Sequence, residues 1–433
     1  MSKQPLEPTR LSAHEHNVTR KRVDANALDV TDRLTQAGYQ AMLVGGCVRD
    51  LLLGVQPKDF DVATSATPEQ VRHVFRRSRL IGRRFRIAHV RYGRDIIEVS
   101  TFRKSQSADE HDERRHDASG LILRDNVYGS LHEDAFRRDF TVNALYYDPI
   151  SGELLDFVGG LKDLAANQLR FIGEPRVRIR EDPVRILRAL RFQAKLGFSL
   201  DPAIKAELPE TAQLLEAIPA ARLFDEVLKL FMSGYAAKVW ELLASSPLCA
   251  VLFPATPKAA NLVRVAMANT DARIAENKPV TPGFLVAVLL WDDYLARSVT
   301  LEATHKPAEA RALAASEAVA AQQQITAIPR RFSHFARDVW ALQGRLEKRQ
   351  ARSISRVFEH RRFRAAYDFL LFRAASDHSA DLEEAATWWT IYQECEPDER
   401  DAMLDARRSA EPKPRRRRRG RRQNSAEQKP ADS

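Results

Sequence analysis

The chain has 433 residues, of which 44% are hydrophobic and 29% charged, and its formal net charge is +10. That length allows two or three domains with buried cores, and the mixture excludes a fibrous or wholly disordered chain. No apolar run approaches the roughly 18 to 20 residues needed to cross a bilayer, the first residues carry no apolar leader, and Cys47, Cys249 and Cys395 are too scattered for a disulfide framework or metal cluster. A cytoplasmic protein with no membrane partner is expected.

Residues 1–24 are polar and read as a loose arm. A helix follows, capped by Asp24 or Asn26, with Ala27, Val30 and Leu34 on its apolar stripe and Gly38 as its stop. Ala41–Val44 reads as a buried strand, Cys47–Leu53 as a short helix, and Asp59–Ala63 as a second strand. Another helix starts at Thr67-Pro68-Glu69, with proline at its favoured first position. Arg86–Tyr92, Gly93-Arg94-Asp95 and Ile96–Phe102 predict a hairpin. Residues 104–120 are charged and aperiodic, and read as a loop. From Asp182 onward strand signals nearly vanish: Asp182 is expected to cap a helix starting at Pro183, and further helices are predicted over 222–232, 236–244, 284–297, 307–324, 334–349 and 361–375. Residues 411–433 hold nine Lys/Arg against three Asp/Glu. Such a block cannot bury a core and suits a disordered polycation for RNA phosphates. Its binding residues would be Lys413, Arg415, Arg416, Arg417, Arg418, Arg419, Arg421 and Arg422.

Four motifs carry chemistry. Asp59 and Asp61 are two apart, so a strand would project both carboxylates to one face with Phe60 and Val62 turned to the core. Adjacent acids repel, and a divalent cation relieves that; magnesium prefers oxygen ligands and accepts substrate phosphates in its shell. Two such ions can activate a hydroxyl and stabilise leaving pyrophosphate. Alone, the pair equally suits a solvated loop end. Ahead of it stand Gly45 and Gly46, where missing side chains let backbone N–H groups approach a triphosphate, with Arg49 within reach of a phosphate oxygen. The third motif, Arg137-Arg138-Asp139, offers phosphate or ribose contacts and a third acid, for which Glu98 is a rival. In the fourth, Asp182 and Arg185 lie three apart and could read the edge of a base; plain helix capping is the alternative.

GGCVRDLLLG, KDFDVAT, RRDFTVNAL, DFVGGLKDL and EDPVRILRALRF, in that order between residues 41 and 192, resemble the class II nucleotidyltransferases, which comprise bacterial poly(A) polymerases and tRNA CCA-adding enzymes. The resemblance implies an α+β protein: a small head with a mixed five-stranded sheet, then an all-α neck and body and a disordered basic tail. The expected divisions are a flexible arm 1–24, catalytic head 25–164, neck 165–235, body 236–408 and tail 409–433. Asp59 and Asp61 would be the metal ligands for Mg2+, with Mn2+ as an alternative, and Asp139 would complete the catalytic set. Gly45, Gly46, Arg49 and Arg138 would bind the nucleotide, Gly46 and Arg49 at its triphosphate, and Asp182, Arg185 and Arg188 would belong to the nucleotide-selecting pocket. The runs Leu80–Val90, Ala221–Lys229 and Arg361–Arg373 resemble the poly(A) branch. The expected activity is therefore template-independent polyadenylation of RNA 3′ ends from ATP, feeding RNA decay and its proteins, with CCA addition to tRNA as the alternative. Cys47 stands where glycine or alanine is commoner in the family.

Overall fold

The structure, a computed structural model, describes residues 7–82, 86–104, 127–257 and 260–410. Several sequence expectations lie outside those residues: the basic tail with its arginines, most of the 104–120 loop, and 83–85 within the branch-specific run.

The expected α+β organisation is found, with a wider sheet. Eight strands pair in the order β1-β8-β7-β2-β3-β6-β5-β4: β1 Thr9–Leu11, β2 Ala41–Val44, β3 Asp61–Thr64, β4 Ser78–Ile81, β5 Ile87–Tyr92, β6 Asp95–Thr101, β7 Leu145–Tyr147 and β8 Leu154–Asp156. Only β3 and β6 run parallel; the other neighbours are antiparallel. The five strands expected become eight because three-residue segments also join the sheet: Leu154–Asp156 pairs with Leu145–Tyr147 and with Thr9–Leu11, which forms the edge. Part of the supposed loose arm is thus sheet. The strand of the acidic pair also starts later than predicted, at Asp61, leaving Asp59 in a bend before it.

Local chemistry explains the helices around the sheet. In α1 (Ala25–Gln36), Asp24 caps by accepting from the backbone N–H groups of Asn26 and Ala27, and Ala27, Val30 and Leu34 are buried. α2 (Gly46–Leu52) follows β2 directly. α3 (Pro68–Val74) starts in a capping box between Thr67 and Gln70, and α4 (Leu131–Arg137) in another between Ser130 and Glu133. Val44, Ala63, Phe102, Ala135, Tyr146 and Leu155 form a core cluster between sheet and α4.

After α5 (Gly160–Ala165) and the two-residue strands β9 (Gln168–Leu169) and β10 (Ser199–Leu200), the chain is helical. α6 (Pro175–Glu181) and α7 (Arg185–Leu196) are separate helices. Asp182 therefore closes α6 instead of opening a helix at Pro183. α8 (Pro202–Thr211) and α9 (Ala220–Phe231) follow. The single helix expected over 284–297 is two, Pro282–Leu289 and Trp291–Glu302. The chain divides into two compact units, 1–336 and 337–433, so sheet and helices through α9 belong to one unit. In the second unit, Ala351–Phe358, Phe363–Asp377, Ala380–Glu394 and Pro397–Ala410 are helices.

Candidate active site

The site grows from the end of β2. Val44 pairs with Asp61, and Asp61 pairs in parallel register with Glu98. Gly45 then turns with φ +84 and ψ −137, a backbone that side chains strongly disfavour. A Cβ there would lie 3.7 Å from Asp61 Oδ2 and 3.9 Å from an Arg138 terminal nitrogen. The glycine turn, Asp61 and Arg138 are therefore one cluster.

Two further carboxylates act on Asp61: Glu98, its register partner on the neighbouring strand, and Asp59. Burial raises the Asp61 carboxyl to about 6, Glu98 and Asp59 push it the same way, and only Arg138 opposes them. Asp59 is exposed, while the intervening Phe60 is 6% exposed and anchors the bend. Glu98 is half exposed, with His89 Nε2 at 3.2 Å from its Oε1. Among the described residues no three such side chains already form a closed metal cage. An open set of like charges still fits a hard divalent cation, because magnesium retains waters and substrate phosphates beside one or two carboxylates.

Asp139 stands elsewhere. Its Oδ2 accepts from Arg188 Nε at 2.9 Å, and its Oδ1 from the Phe140 backbone N–H at 2.8 Å. Burial alone would raise this carboxyl, but Arg188 holds it at about 2. Of the two rivals for third acid, Glu98 is beside Asp61 and Asp139 is neutralised by α7.

Arg138 is aimed by a residue the sequence reading missed. The fully buried Asp134 accepts from Arg137 Nε at 2.9 Å through Oδ1, and from Arg138 Nε at 3.1 Å and the Tyr146 hydroxyl at 2.7 Å through Oδ2. Against its burial, both arginines keep the Asp134 carboxylate at about 2. The three- and four-residue spacings within α4 were the available signal. Arg178 of α6 donates at 2.7 Å to the carbonyl oxygens of both Arg137 and Arg138, tying the following helices to this segment.

Arg49 is not open to a ligand. It is 1% exposed and donates to Asp50 Oδ1 at 2.9 and 2.6 Å and to Asn143 Oδ1 at 2.5 Å, bracing α2. Burial pushes the neighbouring Cys47 thiol up to about 12, so it is an inert packing group. Asp182 and Arg185 do not pair. Arg222 of α9 donates to both Asp182 oxygens at 2.8 Å, and Arg185 donates to Glu181 at 2.8 Å.

Arg188, expected among the nucleotide-selecting residues, begins a cationic row on α7 whose other members, Arg191 and Lys195 at spacings of three and four, the sequence reading missed. Lys195 Nζ lies 3.9 Å from Asp50, and burial together with nearby Arg49, Arg191 and Lys58 depresses its ammonium despite Asp50. Burial and Arg188 likewise depress Arg191. Such crowded, partly desolvated cations suit a triphosphate.

Comparison with known proteins follows this geometry. Residues 41–170 match the family described as Poly A polymerase head domain, 197–259 the Probable RNA and SrmB-binding site of polymerase A, and 303–423 the Polymerase A arginine-rich C-terminus. Poly(A) polymerase I of Escherichia coli O6:H1 is 44% identical over 422 residues, covering 94% of this chain and 90% of that protein. The Haemophilus influenzae poly(A) polymerase I is 42% identical, covering 93% and 92%. A CCA-adding enzyme of Geobacillus sp. is 36% identical over 61% of this chain and 63% of its own. Among solved structures, the Bacillus stearothermophilus CCA-adding enzyme in complex with CTP matches with a TM-score of 0.55 at 26% identity, covering 84% of this chain and 82% of that one. The Thermotoga maritima CCA-adding enzyme complexed with tRNA matches in fold, with a TM-score of 0.60 at 20% identity over 89% and 86% of the two chains.

Proposed function

The chain belongs to the poly(A) polymerase family of nucleotidyltransferases, and from that premise we propose how its own residues carry out adenylate transfer. The enzyme is a polynucleotide adenylyltransferase that extends RNA 3′ ends without a template. The family works with divalent metal ions; here Mg2+ is the proposed ion, with Asp59, Asp61 and Glu98 as its donors. When bound, it lowers the barrier to attack by neutralising the triphosphate and favouring ionisation of the 3′-hydroxyl. The observation that carries this reading is the turn at Gly45, which brings the backbone to Asp61 Oδ2 and Arg138, with Glu98 as the register partner of Asp61.

The remaining roles are positional. Gly45 lets the backbone approach the reacting phosphates, and Arg138, held rigid by Asp134 and Tyr146, directs positive charge at them. Arg188, Arg191 and Lys195 line the side where the leaving pyrophosphate gathers charge. Asp182 is the acceptor for the adenine amino group, its carboxylate fixed by Arg222. Arg185 supports that turn through Glu181. Arg49 and Asp139 act through the scaffold, one bracing α2 and the other anchoring Arg188. ATP and RNA ends are the proposed ligands, and RNA-decay proteins and a cytoplasmic setting belong to the same proposal.

The test compares three isosteric changes. Asp61→Asn and Glu98→Gln should each cut kcat by at least about a hundredfold at unchanged RNA affinity and without loss of thermal stability, the scale expected for losing a charge that acts in the transition state. Asp139→Asn should instead lower the melting temperature, because it leaves Arg188 unpaired. Near-normal kcat in Glu98→Gln, with a stable but inactive Asp139→Asn, would transfer the third acidic role to Asp139.

A further inference from the structure

In the second compact unit, the C-terminal part of the helix Arg330–Lys348 meets the helix Ala351–Phe358 through a tight turn at Arg349, whose φ is +47. A cleft of about 240 Å³ opens there, lined by Gly344, Arg345, Lys348, Gln350, Arg352, Ser353, Arg356 and Val357. Arg345, Lys348, Arg352 and Arg356 are all exposed. Arg345 and Lys348 are three residues apart on one helix, and Arg352 and Arg356 four apart on the next. Each pair therefore shares a face.

What distinguishes this cluster is its lack of counter-charge. Glu347 is engaged by Arg373 and Glu384 by Arg349, and Glu359, three residues past Arg356, forms no ion pair with it. Among the described residues, none of the four cleft cations has a carboxylate within 4.0 Å. The one polar contact found for their side chains is Arg352 to Gln350 Oε1, at 3.3 Å. Four like charges around one concavity repel each other and attract a polyanion. No aromatic side chain lines the cleft, so it has no surface on which a base could stack. Guanidinium, ammonium, amide and hydroxyl groups are the usual donors to phosphate oxygens, and contacts of that kind position a strand without reading its sequence.

We propose that this cleft, built from residues of the second unit alone, is a phosphate-binding subsite for the backbone of the RNA substrate. The proposal rests on RNA being the substrate. It assigns binding to residues outside the arginine run at 415–422. It also requires that the cleft contribute affinity and salt dependence but no chemistry.

The experiment uses the full chain and a labelled, unstructured RNA. Direct binding is measured at several salt concentrations without ATP, and extension kinetics separately. Arg352→Gln/Arg356→Gln should weaken RNA binding about tenfold at low salt and flatten the log–log salt slope by about 1.4, two contacts at about 0.7 each for a single strand. Turnover at saturating RNA, KM for ATP and the melting temperature should stay at wild-type values. Arg352→Lys/Arg356→Lys should restore most of the affinity, because phosphate accepts either cation. Should the double variant melt early, Arg356→Gln alone should show a smaller loss of affinity and about half the change of slope. Unaltered RNA affinity and slope would overturn the proposal. So would altered inhibition by inorganic pyrophosphate with RNA binding intact, which would mark a small-anion site, or loss of binding only to an acidic protein. Because binding is read without catalysis, failure of wild-type protein to add adenylate would contradict the assigned activity and leave this measurement standing.

Discussion

Asp61 carries like-charge tension in the site, and that has a consequence for stability. Its carboxyl ordinarily titrates near 3.8, and in the fold burial and Glu98 raise it to about 6. The folded state thus binds the proton more tightly than the unfolded state. The contribution is favourable below about 3.8 and is lost as pH rises through about 6. Metal-free wild-type protein should therefore become progressively less stable than Asp61→Asn between pH 4 and pH 6, as read from paired thermal melts. Above pH 6, added Mg2+ should narrow that difference by stabilising only the protein that retains the aspartate. A stability difference independent of pH would remove the like-charge account of the site. Arg222 offers a second test. Its grip on both Asp182 oxygens fixes the proposed adenine acceptor. Arg222→Ala should lower the ratio of kcat/KM for ATP over CTP by about tenfold, one well-placed charged contact, and competition assays with the two nucleotides would show it. An unchanged ratio would mean that Asp182 is oriented by other contacts.

At the scale of elements, punctuation in the sequence was the reliable guide. Asp24 and Thr67-Pro68 capped their helices as predicted, Gly38 ended α1, and Gly93 turned the hairpin between β5 and β6. Three-residue strands escaped, because Leu145–Tyr147 and Leu154–Asp156 are too short to display alternation and are fully buried. Pro282–Leu289 and Trp291–Glu302 merged into one expected helix because the first is apolar nearly all round. In the site, the Gly45–Asp61–Arg138 cluster followed from motif spacing. The pairing of Asp139 with Arg188 and of Asp182 with Arg222 spans more than 35 residues each, and no local pattern encodes it. Two glycines at helix boundaries separate backbone strain from function. Gly38 (φ +88) and Gly45 (φ +84) both favour the left-handed region, yet nothing lies within 4 Å of a Cβ at Gly38. Each change to alanine should cost about 1 to 2 kcal/mol of stability in denaturant unfolding. Only Gly45→Ala should also depress kcat, because the strained turn abuts Asp61 and Arg138. Equal turnover in both variants would detach Gly45 from the reaction.

At the scale of the whole molecule, charge is distributed by task. The catalytic head gathers acids around Asp61, α7 carries a cationic row, and the last residues of the chain are strongly basic. Deleting residues 411–433 removes nothing from the described fold. RNA affinity should fall, and the deficit should shrink as salt rises, while turnover at saturating RNA changes less than affinity. Primer extension by the shortened and full chains at two ionic strengths measures this, and identical affinities and salt slopes would reduce the tail to a solubilising appendage. The central claim is that these parts together make an ATP-selective, template-independent polymerase. The most direct measurement is extension of an unstructured RNA by purified protein with Mg2+ and each nucleoside triphosphate supplied separately. The account predicts long products with ATP, little with CTP, GTP or UTP, and none from Asp61→Asn. Extension confined to truncated tRNA, requiring both CTP and ATP and leaving other RNA untouched, would contradict it.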